Sequence, residues 1–232
     1  PQIEEYFAIA RGYQKNGKDV FALEMTKYFD TNYHYIVPIL EEKNFQPKFS
    51  GVESKIVKHF IEAKEAGFHT CPVIIGPVTY LHLAKVQNPN ALIEKLAVEY
   101  LSIFAELKKE GCTDIQIHEP LLVMDISNDW KNAYKTAYGV IKNGNLNIHL
   151  ATHFEDISSN VDLLNVFDVS SIHLDAVREV KNWKKLLRKF LKTSQFHLEL
   201  LTGETFGLPR GLFPFRSNAP PSSLSLRCLA RS

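Results

Sequence analysis

Residues 88–120, NPNALIEKLAVEYLSIFAELKKEGCTDIQIHEP, decide the fold. Asn88 and Pro89 suit an N-cap and a first helical turn. Leu92, Ile93, Leu96, Tyr100, Leu101, Phe104 and Leu107 then recur on one helical face, and Gly111 stops the pattern. Asp114-Ile115-Gln116-Ile117 has strand length and β-branched content, and Pro120, which cannot donate into a ladder, closes it. A helix that delivers the chain straight into a short strand is half of a βα repeat, the mark of a mainly parallel sheet.

The alternation continues outward in both directions. Runs of strand character occur at residues 33–37, 73–75, 114–117, 147–150, 171–174 and 195–198. Between them, Ile56, Val57, Phe60, Ile61 and Ala63 predict a helix ending at Gly67, and Trp130, Ala133, Tyr134, Ala137, Tyr138 and Ile141 predict another ending near Gly144. A further helix is expected around residues 183–192, with Trp183, Leu186, Leu187 and Phe190 inward and Lys184, Lys185, Arg188 and Lys189 on a solvated face. This order suits either a doubly wound sheet or most of a (βα)8 barrel. Gly76-Pro77-Val78-Thr79 has one glycine where a nucleotide-binding fingerprint needs three, which weakens the first.

A chain of 232 residues, 45% hydrophobic and 23% charged, is large enough for one sizeable domain. Its net charge of +1 creates no field that would gather nucleic-acid phosphates or an anionic membrane, so neither partner is expected. The apolar stretch 73–84 is broken by Pro77 and His82 and falls short of the ~20 residues a membrane helix needs. Cys71, Cys112 and Cys228 form no CxxC pair and no secretory framework; they read as reduced thiols of a cytoplasmic protein. The chain opens at Pro1 without a leader pattern and reads as a fragment.

Chemistry in a parallel barrel gathers where strands end. Glu119 follows the strand at 114–117, directly before Pro120, and its apolar neighbours Ile117, Leu121 and Leu122 would make an unpaired charge costly. His118, Glu119 and Asp175 are therefore barrel-mouth candidates, the competing reading for Glu119 being a salt bridge to a loop. His153, Glu155 and His173 could join them in imitating a zinc or acid–base cluster, but no HxxxH or CxxC spacing supports a metal, and none is expected. The densest polar and aromatic stretch, residues 24–38, reads EMTKYFDTNYHYIVP. Asp30 to Asn32 suits a turn, and Lys27 stands alone among apolar and aromatic neighbours; composition favours a hydrogen-bonded core turn over a ligand site.

That segment resembles a signature of the N-terminal domain of cobalamin-independent methionine synthase, commonly EMTKWFDTNYHYIVP. Arg11-Gly12, Pro72 to Thr79, Ile115 to Pro120 and Ile172 to Asp175 agree in the same order, and the likeness covers roughly residues 3–197. The resemblance implies two facing (βα)8 barrels that move a methyl group from 5-methyltetrahydrofolate polyglutamate to homocysteine, giving methionine. It implies zinc held by His, Cys, Glu and Cys in the second barrel, which this chain lacks, and no cobalamin. It places the family's lysine on Lys27, whose flexible ammonium suits the carboxylates of a glutamate tail. Asn32, His34 and, more weakly, Lys15 and Lys18 are the other folate-binding candidates; catalytic residues are expected in the missing half.

The fold expected on this basis is α/β, an incomplete (βα)8 barrel over residues 1–197. This chain has His118 where the family usually has Asp, and Ala151-Thr152-His153-Phe154 where Thr-Thr-Tyr-Phe is common. After His197 the resemblance stops. Residues 198–207, LELLTGETFG, are encodable by nucleotides that, read two bases later, give Gly-Val-Ile-Asp-Gly-Arg-Asn-Ile-Trp, close to what the family carries there. Residues 198–232 are therefore expected to be a frameshifted or mis-spliced, disordered tail, and the barrel to have unpaired edges and low stability. Two other readings stand beside a piece of a methyltransferase: a folate-binding module of a split enzyme, and a non-functional remnant.

Overall fold

The computed structural model describes residues 3–15, 17–48, 54–155, 157–175 and the strand at 197–201. In chain order, helix α1 (Ile3–Arg11) leads into a hairpin of β1 (Tyr13–Lys15) and β2 (Lys18–Val20), and then a second hairpin of β3 (Met25–Lys27) and β4 (His34–Ile36). Next come α2 (Lys55–Glu65), β5 (Val73–Ile75), α3 (Pro77–Leu83), α4 (Pro89–Lys109), β6 (Asp114–His118), α5 (Asn128–Ile141), β7 (Asn147–Ala151), β8 (Ser171–Asp175) and β9 (His197–Leu201). Short 3-10 turns follow β6, α5 and β7.

Strands β5 to β9 form one five-stranded parallel sheet in sequential order. With right-handed crossovers, a sequential order places every connection on one face, which separates this sheet from the doubly wound alternative. The expected strand at 33–37 is a correction: β4 pairs antiparallel with β3, outside the parallel sheet, so only the later runs build that sheet. Of the run expected at 195–198, residues 197 and 198 lie in β9, which continues to Leu201, and residues 195–196 lie outside the described residues. The helix expected at 183–192 lies outside the described residues.

Helix α4 begins at the expected Pro89 and runs 21 residues to Lys109, shortly before Gly111, although Asn88 makes no side-chain cap. Leu92, Ile93, Leu96, Phe104 and Leu107 are at most 1% exposed, and α4 packs along α5 through Tyr134, Ala137, Tyr138 and Ile141. Strand alternation then divides the sheet. Ile115 and Ile117 of β6, Ile148 and Leu150 of β7, and Ile172 of β8 join the apolar core with these helices. The alternate positions, Asp114, Gln116, His118, His149, Ser171 and His173, place polar groups on the opposite face. Parallel sheets are ordinarily apolar on both sides, so a polar second face marks a surface with another use.

Contacts across that face are already made. His149 holds Ser171 Oγ at 2.7 Å through Nδ1 and Asp114 at 3.0 Å through Nε2. A hydrogen bond from Thr113, followed by those of His149, holds the Asp114 carboxyl below its usual range. Behind the sheet, the Tyr100 hydroxyl of α4 donates to the Ile75 carbonyl at 2.6 Å, tying the longest helix to the end of β5. Tyr100→Phe leaves that buried carbonyl without this donor, and a loss of about 1–2 kcal/mol is expected as a lower urea midpoint at unchanged m-value.

Candidate functional site

A parallel sheet brings all its strand ends to one edge. The register aligns Ile75, His118, Ala151 and His173 in a row across β5 to β8, so the residues that follow gather along one rim. Gly76 to Thr79 come from β5, Glu119 from β6, and Thr152 to Phe154 from β7. Asp175 closes β8; its side chain lies outside the described residues.

Glu119 is completely buried. Its carboxylate accepts from the backbone N–H groups of Val78 at 3.3 Å and Thr79 at 2.9 Å, from the Thr79 hydroxyl at 2.5 Å, and from the Tyr134 and Tyr138 hydroxyls at 3.2 Å. A loop salt bridge is thus not what stabilises it: the partners are the first turn of α3 and two tyrosines of α5. Burial nevertheless outweighs these bonds and raises its carboxyl to about 7. Gly76 makes this arrangement possible, because any Cβ there would overlap the Glu119 carboxylate.

Three histidines share the rim on the polar face. His118 Nδ1 and His153 Nε2 are 3.1 Å apart, and the His153 and His173 ring centroids are 5.5 Å apart. Ala151 stands between His118 and His173 in the register and reaches only as far as its methyl group. Gln116 Nε2 lies 2.6 Å from His118 Nε2, and His173 Nδ1 donates to the Thr152 carbonyl at 2.9 Å when protonated there. Burial, then the neighbouring His153 and His173, lowers His118 to about 4, so it is neutral at physiological pH.

The β3–β4 hairpin docks beside this rim. Phe29, in its turn, stacks on Phe154 at 5.8 Å between centroids, and both hold positive φ, 47° and 83°, which is costly for bulky side chains. Tyr28 is pushed up to about 12, chiefly by burial and then by the Glu119 charge, which places it toward the β6 end. At the other end of the hairpin, the Tyr35 hydroxyl donates to the Leu83 carbonyl at 3.0 Å, and Lys85 pairs with Glu24 at 2.6 Å.

Lys27 is exposed and lies opposite His34 in the hairpin register, while the Asn32 carbonyl meets His34 Nδ1 at 3.1 Å. The structure therefore groups Lys27, Asn32 and His34 on one hairpin, and Lys15 opposite Lys18 on the other. Glu155 is exposed after β7. The sequence reading missed Gly76, Thr79, Tyr134 and Tyr138 as the setting of Glu119. Only the unusual Gly-Pro at a strand-to-helix junction hinted at a close approach.

The zinc set implied by the resemblance does not fit the described residues. Cys71 is exposed, Cys112 is buried with its Sγ toward the Asp114 carbonyl, and among the described residues no three His, Cys, Asp or Glu side chains surround a common point.

Fold and site together define the class: a parallel α/β unit with a polar rim at its strand ends and an exposed lysine on a hairpin docked against it. The model of the family described as "Cobalamin-independent synthase, N-terminal domain" matches residues 1–203, and the chain belongs to that family. A 5-methyltetrahydropteroyltriglutamate–homocysteine methyltransferase of Cytophaga hutchinsonii is 42% identical over 76% of this chain and 23% of its own length. Relatives with the same name are 39% identical in Haemophilus influenzae, over the same shares, and 35% identical in Buchnera aphidicola, over 87% of this chain and 27% of the relative. The chain thus spans about a quarter of the curated relatives it matches.

Proposed function

We propose that this chain supplies folate recognition to a methyltransferase that moves a methyl group from 5-methyltetrahydrofolate polyglutamate to homocysteine. The reaction is the one in the relatives' names, and the family description supports chemistry without cobalamin. The observation that carries the reading is the placement of Lys27. It is exposed, on a hairpin locked by the Phe29–Phe154 stack against the rim where a parallel fold gathers its site. Its ammonium takes a carboxylate of the glutamate tail, with Asn32 and His34 beside it as hydrogen-bonding groups. Lys15 and Lys18 serve at most as outer attraction, and Glu119 holds the rim in shape. Homocysteine, its zinc and the catalytic groups belong to a second half outside this chain.

The sequential sheet with a polar inner face supports a place in a (βα)8 barrel, and the free thiols of Cys71 and Cys112 suit the cytoplasm. A break in character after His197 belongs to the same proposal. Strand β9 continues to Leu201 and the family match to residue 203, whereas residues 202–232 lie outside the described residues. Transcript sequencing through that point tests the break; an intact open frame removes it.

The binding reading is tested by titrating the full chain with a triglutamylated 5-methyltetrahydrofolate. Saturable binding that Lys27→Ala weakens about tenfold, with little change for Lys15→Ala, is expected for one lost charge-assisted contact. Equal affinity in Lys27→Ala would sink the assignment, and no binding at all would favour a non-functional remnant.

A further inference from the structure

We propose that His118 and His153 form a two-nitrogen chelate for a divalent transition metal ion at the strand ends, with His173 in reach as a third imidazole. Two imidazole nitrogens bound side by side on one ion, at bonds of about 2.0–2.1 Å, stand about 3.0–3.4 Å apart. His118 Nδ1 and His153 Nε2 are 3.1 Å apart before any ion enters.

The surroundings are those of metal ligands as well. A ligating histidine typically has its other ring nitrogen held by a carbonyl or side chain, which sets the tautomer. His173 Nδ1 lies 2.9 Å from the Thr152 carbonyl, which directs the lone pair to Nε2. The Gln116 amide nitrogen, 2.6 Å from His118 Nε2, donates to it in the metal-free site, and turning the amide over brings its oxygen to that nitrogen instead. Without metal, one N–H lies between His118 and His153. On binding, the proton on His118 Nδ1 moves to Nε2 of the same ring, where it faces the Gln116 amide oxygen after the amide flip, and His153 holds its proton on Nδ1, so both facing nitrogens present lone pairs. No net proton is released.

The site is separate from the zinc set of the family, having no cysteine and no carboxylate. Among the described residues no three ligand side chains already converge on one point, so the site is the pair, with the His173 ring beside it. Imidazole donors without sulfur select cobalt, nickel, copper or zinc over magnesium or calcium. None of these residues is assigned to folate contact, so failure here leaves the folate reading intact.

The experiment is a calorimetric titration of the full chain with Ni2+ and Zn2+, together with Co2+ followed by visible absorption and histidine side-chain NMR. One equivalent of metal, shifts confined to His118, His153 and His173, and at least about tenfold weaker binding in His118→Asn and His153→Phe are expected. His59→Gln and His69→Gln, exposed elsewhere, should bind as the parent. Thermal unfolding without metal checks that each variant is folded. If a variant is not, the NMR shifts of the parent chain decide. Overturning results are no saturable binding, unchanged affinity in folded His118→Asn or His153→Phe, or shifts at other histidines.

Discussion

Glu119→Ala should destabilise the chain by about 3–5 kcal/mol at pH 6, read as a fall in the urea midpoint. The side chain is completely buried and accepts from two backbone N–H groups and three hydroxyls. Alanine leaves the N–H groups of Val78 and Thr79 without those acceptors and opens a cavity between α3 and α5. The hydroxyls of Tyr134 and Tyr138 can turn to each other or to water; the amides cannot.

The same residue should set a pH dependence. Its folded carboxyl is raised from 4.5 to about 7 by burial, so the folded chain holds this proton more tightly than the unfolded chain. Its contribution is therefore fully present below about pH 4.5 and declines as pH rises to about 7, by an amount on the order of 3 kcal/mol. Glu119→Gln keeps the shape and removes the titration, so its stability profile should be flatter between pH 4.5 and 7. An equally steep decline in that variant would show that another group is responsible.

The second large effect is expected from Gly76→Ala, about 2–3 kcal/mol, because the added methyl group overlaps the Glu119 carboxylate in a fully packed region. The two substitutions should be strongly coupled. With Glu119 already alanine, the methyl group finds open space and costs little, so the double-mutant cycle should give a coupling of more than about 1 kcal/mol. Strict additivity would mean that Gly76 matters through its backbone alone. The loss of a single hydrogen bond in Tyr100→Phe is smaller because no buried group is displaced.

Much of this was legible in the residues themselves. The apolar faces of α4 and α5 and the runs that became β5 to β8 were placed within a few residues, because helix and strand periodicities are local properties. Glu119 was picked out by its position between a strand and Pro120. The run at 33–37 was read correctly as extended and wrongly as part of the parallel sheet. Alternation describes a strand but says nothing about its partner, and the partner here is its own neighbour, Met25–Lys27.

His118, His153 and His173 were grouped from the sequence as followers of neighbouring strands, but without a metal spacing the contact between the first two could not be read there. Metal and catalytic motifs are recognised by spacing along one element, whereas these side chains come from different strand ends and meet only through sheet register. Gly76 and Glu119 likewise approach across a pair of neighbouring strands.

The sequence by itself determined that α2, α4 and α5 are helical and the runs of β4 to β8 extended, which of their faces are apolar, the family, and the candidate lysine on the signature segment; it left α1, α3 and β1 to β3 unmarked. The tertiary structure alone decided that this segment is a hairpin docked on the rim, that Glu119 is an internal brace, and that three imidazoles crowd one polar face. Local propensity acts within a few residues, while pairing, burial and proton affinity depend on neighbours supplied by distant parts of the chain.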